Sequence, residues 1–433
     1  MADALRTGCG PAEVRRILVR QLAGGGSDII RLATAAVAVQ FLGLATGPIV
    51  ARLLGPEGRG QMGLIVLGTF VVAQLAVGGV PVAIALLGAA AGAPVRDAFA
   101  PYFRRWWLLS AVPGAVGAGG VVIAFRSADQ WGLLALAAFA VGALATWQFL
   151  GAGLLQAEGE VRHVNALRIV GAVLYAGGAG IVFAVDRTTS AYVVLFVYAA
   201  AGWITLVDSW RRLRKPTGDT AVCVPKESVR RVSRSSYVTG VNALSSGLDQ
   251  IVVWLILGTT WLGLYAVAVS MTNLSAIALR NLGAMLLPRL SAATPERARA
   301  ITRTWLLGAL IIDVAIVAVI EALVDPLVRY AFGSQFVPAI TCARIAAIAW
   351  GALAYRLVLV SVLQAAGRER HASVIEAAAT VVMVVAVAFG VHWFGLVGAA
   401  AGLGVGATLC CGLLGAEVVR LRRSQEMDLD LAS

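Results

Sequence analysis

The ionisable residues inside stretches that are otherwise apolar include Arg31, Asp249, Arg280, Asp313, Glu321, Arg344 and Arg356. A charge at the centre of a membrane helix costs roughly 2.5–3.5 kcal/mol on insertion scales, so each needs a cavity or a partner. Arginine presents a planar fork that grips phosphate oxygens two at a time. A carboxylate taken out of water can hold a proton or a small cation. Counted from the ends of their apolar runs that face one side of the membrane, Arg280 lies about 11 residues in and Asp249 about 12. At ~1.5 Å per residue the two depths agree, so this pair is expected to meet. Asp313 and Arg356, each about 10 residues in by the same measure, are expected to pair likewise, as are Glu321 and Arg344. Either pair serves as helix glue or as an ion-coupling site. Asn242, Ser245, Ser246 and Asp249 follow i, i+3, i+4, i+7 spacing and share one helical face. With Asn273 on the next run they make a stripe suited to hydroxyl-bearing ligands or to hydrogen bonds between helices.

The elements that carry these residues follow from composition. Of 433 residues, 59% are hydrophobic and 13% charged, with a mean hydropathy of +0.84. Soluble domains are typically about a quarter charged, so a soluble enzyme, a nucleic-acid-binding domain and a single-span receptor are all excluded. Apolar runs bounded by charge, Gly or Pro occur at 29–50, 62–90, 106–125, 131–156, 166–186, 190–210, 237–258, 264–291, 303–325, 339–366, 372–393 and 395–417. A span needs about 20 residues, so an all-α polytopic membrane protein of about twelve transmembrane helices is predicted. Trp106, Trp107, Trp131, Trp210, Trp261, Trp305 and Trp393 stand at run ends, where indoles favour the headgroup layer.

Orientation follows from the basic residues. Loops and tails on the side of the N-terminus hold 26 Lys and Arg, the opposite loops 5, and the runs themselves 4. The positive-inside rule therefore places both termini in the cytoplasm, and it accounts for the net charge of +12 without a nucleic-acid partner. Residues 1–28 contain Arg6, Arg15, Arg16 and Arg20 and no apolar core before Ile29, so they read as a cytoplasmic segment without a cleavable signal. A first lobe of six spans covers 29–210, a basic cytoplasmic linker 211–236, a second lobe of six spans 237–417, and a cytoplasmic tail 418–433.

Two echoes relate these lobes. Leu155-Gln156-Ala157-x-Gly159-x-x-Arg162-His163 recurs as Leu363-Gln364-Ala365-x-Gly367-x-x-Arg370-His371, an offset of 208. Leu54-Gly55-x4-Gly60 recurs as Leu257-Gly258-x4-Gly263, an offset of 203. Six spans is an even number, so the halves are parallel repeats related by a pseudo-twofold axis along the membrane normal. That is a transporter pattern, with substrate handled between the halves.

The same stretches carry a family resemblance. Pro48-Ile49-Val50-Ala51-Arg52-Leu53-Leu54-Gly55-Pro56-Glu57-Gly58-Arg59-Gly60 resembles the loop after the first span of polysaccharide flippases. Asp249-Gln250-Ile251, Leu257-Gly258, Leu262-Gly263-Leu264-Tyr265-Ala266-Val267-Ala268 and Pro288-Arg289-Leu290-Ser291 are similar to their seventh and eighth spans. The sequence resembles the Wzx-type oligosaccharide flippases of the multidrug/oligosaccharidyl-lipid/polysaccharide exporter superfamily over nearly its whole length. The resemblance implies movement of an undecaprenyl-pyrophosphate-linked glycan across a bacterial cytoplasmic membrane, for cell-surface polysaccharide synthesis by alternating access. It also implies partners among membrane lipids, a coupling H+ or Na+ and other polysaccharide-assembly proteins. Spans one, two, seven and eight line the central cavity in such proteins. Arg31, near the cytoplasmic mouth, and Arg280 would then meet the pyrophosphate, with Asp249 as the resting counter-ion of Arg280. Asn242, Ser245, Ser246 and Asn273 would meet the sugars.

Two rivals remain. A multidrug antiporter needs a cavity of carboxylates and aromatics, and a membrane glycan polymerase needs a large outer loop with catalytic residues. No outer loop here exceeds about 15 residues, and no P-loop, nucleophile elbow or zinc motif is present. The cysteines Cys9, Cys223, Cys342, Cys410 and Cys411 and the histidines His163, His371 and His392 lack ligand spacing, so neither metal, cofactor nor enzymatic activity is expected. The coupling ion is left open among Asp249, Asp313 and Glu321.

Overall fold

The computed structural model describes residues 26–80, 83–84, 96–125, 130–157, 160–186, 189–213, 226–235 and 247–430 except 292–294. Among these residues all regular structure is helical. In lipid a backbone must satisfy its own hydrogen bonds, and a helix does so within one segment. The helix Gly26–Val77 is broken at Gly55 into α1 (26–54) and α2 (56–77). Arg96–Phe125 (α3), Trp131–Ala157 (α4), Val161–Val185 (α5) and Ala191–Leu213 (α6) complete the first six rods. A short linker helix, Lys226–Ser235, places Glu227 in its first turn and Arg234 in its last, which complements its dipole. Leu248–Leu257 (α7), Thr259–Ser291 (α8), Pro295–Pro326 (α9) and Ala339–Ala365 (α10) follow. Glu369–Asp430 is broken at Gly395 into α11 (369–394) and α12 (396–430). Twelve rods thus stand among the described residues where twelve runs were read. The ends differ from the sequence reading. α12 carries on through the predicted tail as far as Asp430, and α9 begins eight residues ahead of its apolar run, because polar and charged residues extend a helix once it leaves the lipid.

Contacts divide the chain into two compact units, and the division is not a single cut. One unit comprises the described residues of Met1–Val39, Ile65–Gly178 and Tyr192–Leu244. The other comprises those of Gln40–Leu64, Ala179–Ala191 and Ser245–Ser433. The first is centred on Leu144, Trp147 and Leu206. Trp210, expected at the headgroup layer, is half-buried there, edge-on to Trp147 at 5.6 Å between ring centroids.

In the second unit the turn between α1 and α2 packs on the turn between α7 and α8 in a reciprocal manner. A Cβ on Gly60 would lie 1.9 Å from the Thr259 carbonyl oxygen, and a Cβ on Gly263 would lie 1.8 Å from that of Pro56. Pro56 and Thr259, like Gly60 and Gly263, are related by the 203-residue offset. Each repeat therefore presents to the other the patch it receives, the hallmark of a local twofold contact. The breaks match too: Gly55 has φ 63° and ψ −177°, and Gly258 has φ 88° and ψ −172°. These positive φ values favour glycine. Thr189 N–H donates to Leu53 O (3.3 Å), and the Arg52 guanidinium donates to Tyr330 O beyond α9, in the π-helical turn Leu327–Phe332.

The other echo closes a second pair of like turns. Glu160 N–H donates to Leu155 O and Arg368 N–H to Leu363 O, both at 2.9 Å. Val164 N–H to Glu160 O and Ala372 N–H to Arg368 O follow, both at 3.1 Å. Each turn is tied to the last rod of its own half. Glu160 Oε2 lies 3.6 Å from Arg212 Nη1, and His163 Nε2 lies 2.9 Å from Asp208 Oδ2, both on α6. Arg368 Nη1 lies 2.5 Å from Glu417 Oε1 on α12. α11 and α12 meet backbone to backbone along Gly398, Gly402 and Gly406, where an added Cβ would come within 2.5 Å of Gly390, Ala386 or Met383. Small residues at four-residue spacing are the usual means of close helix approach in lipid. The outward faces are apolar, as with Ile311, Val381 and Phe389.

Candidate functional site

The sequence-predicted residues whose side chains the structure describes lie in the second unit, on α7 to α10. Asp249 stands in the first turn of α7 and is 0% exposed, among Val253, Tyr265 and Cys342. Its Oδ2 accepts a hydrogen bond from the Tyr265 hydroxyl of α8 at 2.8 Å, while Oδ1 is buried with no hydrogen-bond partner. Arg280, further along α8, is exposed, and the charge that acts on it is the like charge of Arg356. The expected Asp249–Arg280 pair is therefore not formed. Residue counting fixes height along a helix but not azimuth, and Asp249 faces the packed core whereas Arg280 faces open space.

Asp313 projects from α9 and is 6% exposed. It lies beside the buried Ser275 of α8 and against Gly351 of α10, where an added Cβ would come 3.0 Å from Oδ2. Its Oδ1 has no hydrogen-bond partner. Arg356 of α10 is 7% exposed, and its Nη1 lies 3.5 Å from Glu376 Oε1 of α11. Glu376 is thus the described ion-pair partner of Arg356, with Cys410 of α12 also at hand. Glu321 and Arg344 come together as expected, at 4.0 Å. Asp325, one turn further along α9, makes the closer contact with Arg344.

Arg31 lies in α1, but its side chain is outside the described part, as is that of Asn273 in α8. Asn242, Ser245 and Ser246 also fall outside the described residues.

Tyr265, Glu376 and Asp325 were given no site role by the sequence reading. One of them had a signal. Asp249 precedes the break at Gly258 by nine residues and Tyr265 follows it by seven, so a fold-back at that glycine brings the two level. Glu376 sits close to a run end and reads there as an ordinary boundary charge.

The charges sort into three chemical kinds. Asp249 and Asp313 are carboxylates inside a helical core with no ion pair among the described residues, able to accept a proton or a cation. Arg356–Glu376 is a closed pair that offers nothing to a ligand. Arg280 is an exposed cation with no ion-pair partner among the described residues. No cluster of three or more His, Cys, Asp or Glu with metal-binding geometry occurs among the described residues.

No family model matches the chain, and no curated protein matches it in sequence. Solved structures do match in fold. One, described as the inward-facing conformation of a multidrug resistance MATE family transporter of the MOP superfamily, aligns with TM-score 0.69 at 19% identity, covering 91% of this chain and 98% of its own. An outward-facing conformation under the same description aligns with TM-score 0.59 at 18% identity, covering 94% and 97%. A MOP superfamily transporter from Pyrococcus furiosus, whose description states that reverse polarity of its binding pocket suggests a different function, aligns with TM-score 0.58 at 18% identity, covering 92% and 95%. The likeness extends over nearly the full length of each, and the chain is a multi-pass membrane protein with the all-helical, two-lobed fold of the MATE transporters of the MOP superfamily.

Proposed function

We propose that this chain is an alternating-access transporter that moves an anionic lipid-linked glycan, of the undecaprenyl-pyrophosphate type, from the cytoplasmic to the outer leaflet of a bacterial cytoplasmic membrane. The observation that carries the reading is Arg280: an exposed guanidinium in mid-helix with no acid paired to it among the described residues. Keeping such a charge at membrane depth is costly, and a pyrophosphate would supply the oxygens it lacks. Arg31 serves at the cytoplasmic entry, and Asn242, Ser245, Ser246 and Asn273 meet sugar hydroxyls. Asp249 is the coupling group for H+ or Na+, since one of its oxygens is buried and unused. Glu321 and Arg344 hold α9 to α10. Both termini are cytoplasmic, as the loop arginines require, and the protein works alongside other polysaccharide-assembly proteins.

The fold neighbours that are described as inward- and outward-facing support the alternating-access part of this reading. Their description as multidrug resistance transporters supports an ion-coupled multidrug antiporter as the second reading, and the buried carboxylates favour it. Complementation of a flippase-deficient strain decides between them, with membrane levels of the protein measured in parallel. Arg280→Ala is expected to abolish glycan export while still inserting, and Arg280→Lys, which keeps charge but loses the fork, to retain weak export. Wild-type export by well-expressed Arg280→Ala overturns the proposal. Drug resistance conferred without glycan export establishes the antiporter.

A further inference from the structure

The 208-residue offset between the halves carries a trio of positions from one to the other. In the second half Arg356 of α10 lies 3.5 Å from Glu376 of α11, with Cys410 of α12 at hand. The positions 208 residues earlier are Gln148 of α4, Arg168 of α5 and Gly202 of α6. The register holds in space as well as in sequence. A Cβ on Gly202 would lie 3.1 Å from Gln148 Nε2, so α6 meets α4 where α12 meets α10. The chemistry is reversed: the base of the closed pair has become an amide, and its acid has become a base. Arg356 and Glu376 are nearly sealed, whereas Gln148 and Arg168 are exposed. Arg168 has no ion-pair partner among the described residues. The described carboxylates near this end of α5, Glu160 and Asp208, lie against Arg212 and His163. Asn165, one turn before Arg168 on the same helical face, is 5% exposed. Neither its amide nitrogen nor its oxygen has a hydrogen-bond partner among the described residues, and a buried polar group left so is costly. A metal cation finds no carboxylate at these positions, and a neutral ligand leaves the guanidinium unanswered. A phosphate answers both, with two oxygens on the arginine fork and others on the amides. Arg168 is the third residue of the apolar run 166–186, which sets it at the depth of lipid headgroups. Basic pockets between spans at that depth hold anionic headgroups.

We propose that Arg168, Gln148 and Asn165 form a binding site for the phosphate of an anionic glycerophospholipid. The site belongs to the first unit and is independent of the proposed cargo. It stands where the second half has a closed ion pair, and the lipid phosphate takes the place of the missing acid.

The test uses the purified full chain in detergent, with lipid binding read by native mass spectrometry. Phosphatidylglycerol is the probe and phosphatidylcholine the zwitterionic control. Wild-type protein is expected to hold one phosphatidylglycerol at least 10-fold more tightly than phosphatidylcholine. Arg168→Ala is expected to weaken that binding at least 10-fold. Arg211→Ala, which removes an exposed arginine of α6, is expected to leave it unchanged. Gln148→Arg with Arg168→Glu installs in the first half the pair of the second. This double variant is expected to melt no lower than wild type and to lose the preference for phosphatidylglycerol; it decides the matter if Arg168→Ala does not fold. Inorganic phosphate is expected not to displace the lipid, and displacement overturns the lipid assignment in favour of a free anion. Equal binding of the two lipids, or undiminished preference in folded Arg168→Ala or in the double variant, overturns the proposal. An equal loss in Arg211→Ala overturns it by making the effect one of general charge. A double variant that fails to fold overturns the register on which the site rests.

Discussion

The reciprocal packing of Gly60 and Gly263 makes a quantitative prediction. A methyl group at Gly60 would sit 1.9 Å from the Thr259 carbonyl oxygen, where real Cβ contacts stay beyond about 3.0 Å. The obstructing atoms are main chain and cannot rotate away, so the two turns must separate by about 1.1 Å. Overpacking of this kind costs about 1–3 kcal/mol. Gly263→Ala meets the Pro56 carbonyl at 1.8 Å, so its cost is expected to be the same. The decisive measurement is the double variant. The movement that relieves one clash relieves the other, because both act across one axis. Gly60→Ala/Gly263→Ala is therefore expected to cost about as much as either single change, leaving an interaction energy of order 1–2 kcal/mol in a double-mutant cycle. Thermal unfolding of the detergent-purified protein reads all four corners. Gly43→Ala, which meets nothing within 4 Å, is the neutral reference. If either single change were silent, the close approach would not exist. Were the two costs simply to add, the turns would be two unrelated contacts and the twofold argument would fail.

Three further outcomes follow from the same geometry. Arg356→Ala takes from Glu376 its described ion-pair partner in a core where both side chains are nearly sealed, and is expected to cost about 3–5 kcal/mol; Arg356→Met with Glu376→Met should recover most of it, and a thermally silent Arg356→Ala refutes the pair. Tyr265→Phe removes the one hydroxyl held by Asp249 and is expected to lower unfolding stability by about 1–3 kcal/mol, an effect that should vanish in an Asp249→Leu background. Gly55→Ala and Gly258→Ala force an L side chain into positive φ, at about 1–2 kcal/mol each, and equal midpoints for these and Gly43→Ala in the same melts would remove the strain argument.

What the sequence discloses here is mostly what length and glycine disclose. The twelve rods follow from runs of spanning length, and the echoes return as like turns, one pair with the same hydrogen bonds and the other with the same backbone angles. Glycines at 55, 60, 258 and 263 were legible as a repeat, but not as surfaces that meet each other. That is a property of tertiary placement, and it is also why residues 40–64 group with the second unit. Among the charges, depth correctly brought Glu321 to Arg344. Asp249 and Arg280 failed because two helices can hold residues at one level and turn them to different sides. Glu376 was passed over because a carboxylate five residues inside a run looks like a boundary charge until its helix is seen packed against Arg356.

The two clips that fasten the turns to the closing rods have opposite polarity. In the arginine–glutamate pair of the first half the turn supplies Glu160 and the rod Arg212, beside the His163–Asp208 contact; in that of the second the turn supplies Arg368 and the rod Glu417. Duplicated halves that share a layout face a hazard while they assemble in one bilayer, since α6 and α12 could each dock on the wrong neighbours. An exchange would set Glu417 against Glu160 and Arg212 against Arg368. Such partly exposed pairs contribute up to about 1 kcal/mol each when correctly matched, and like charges repel when crossed. The inversion thus works as a key. It leaves each finished half as secure as the other, yet gives a nascent chain, or two neighbouring copies of it, a reason not to trade closing helices.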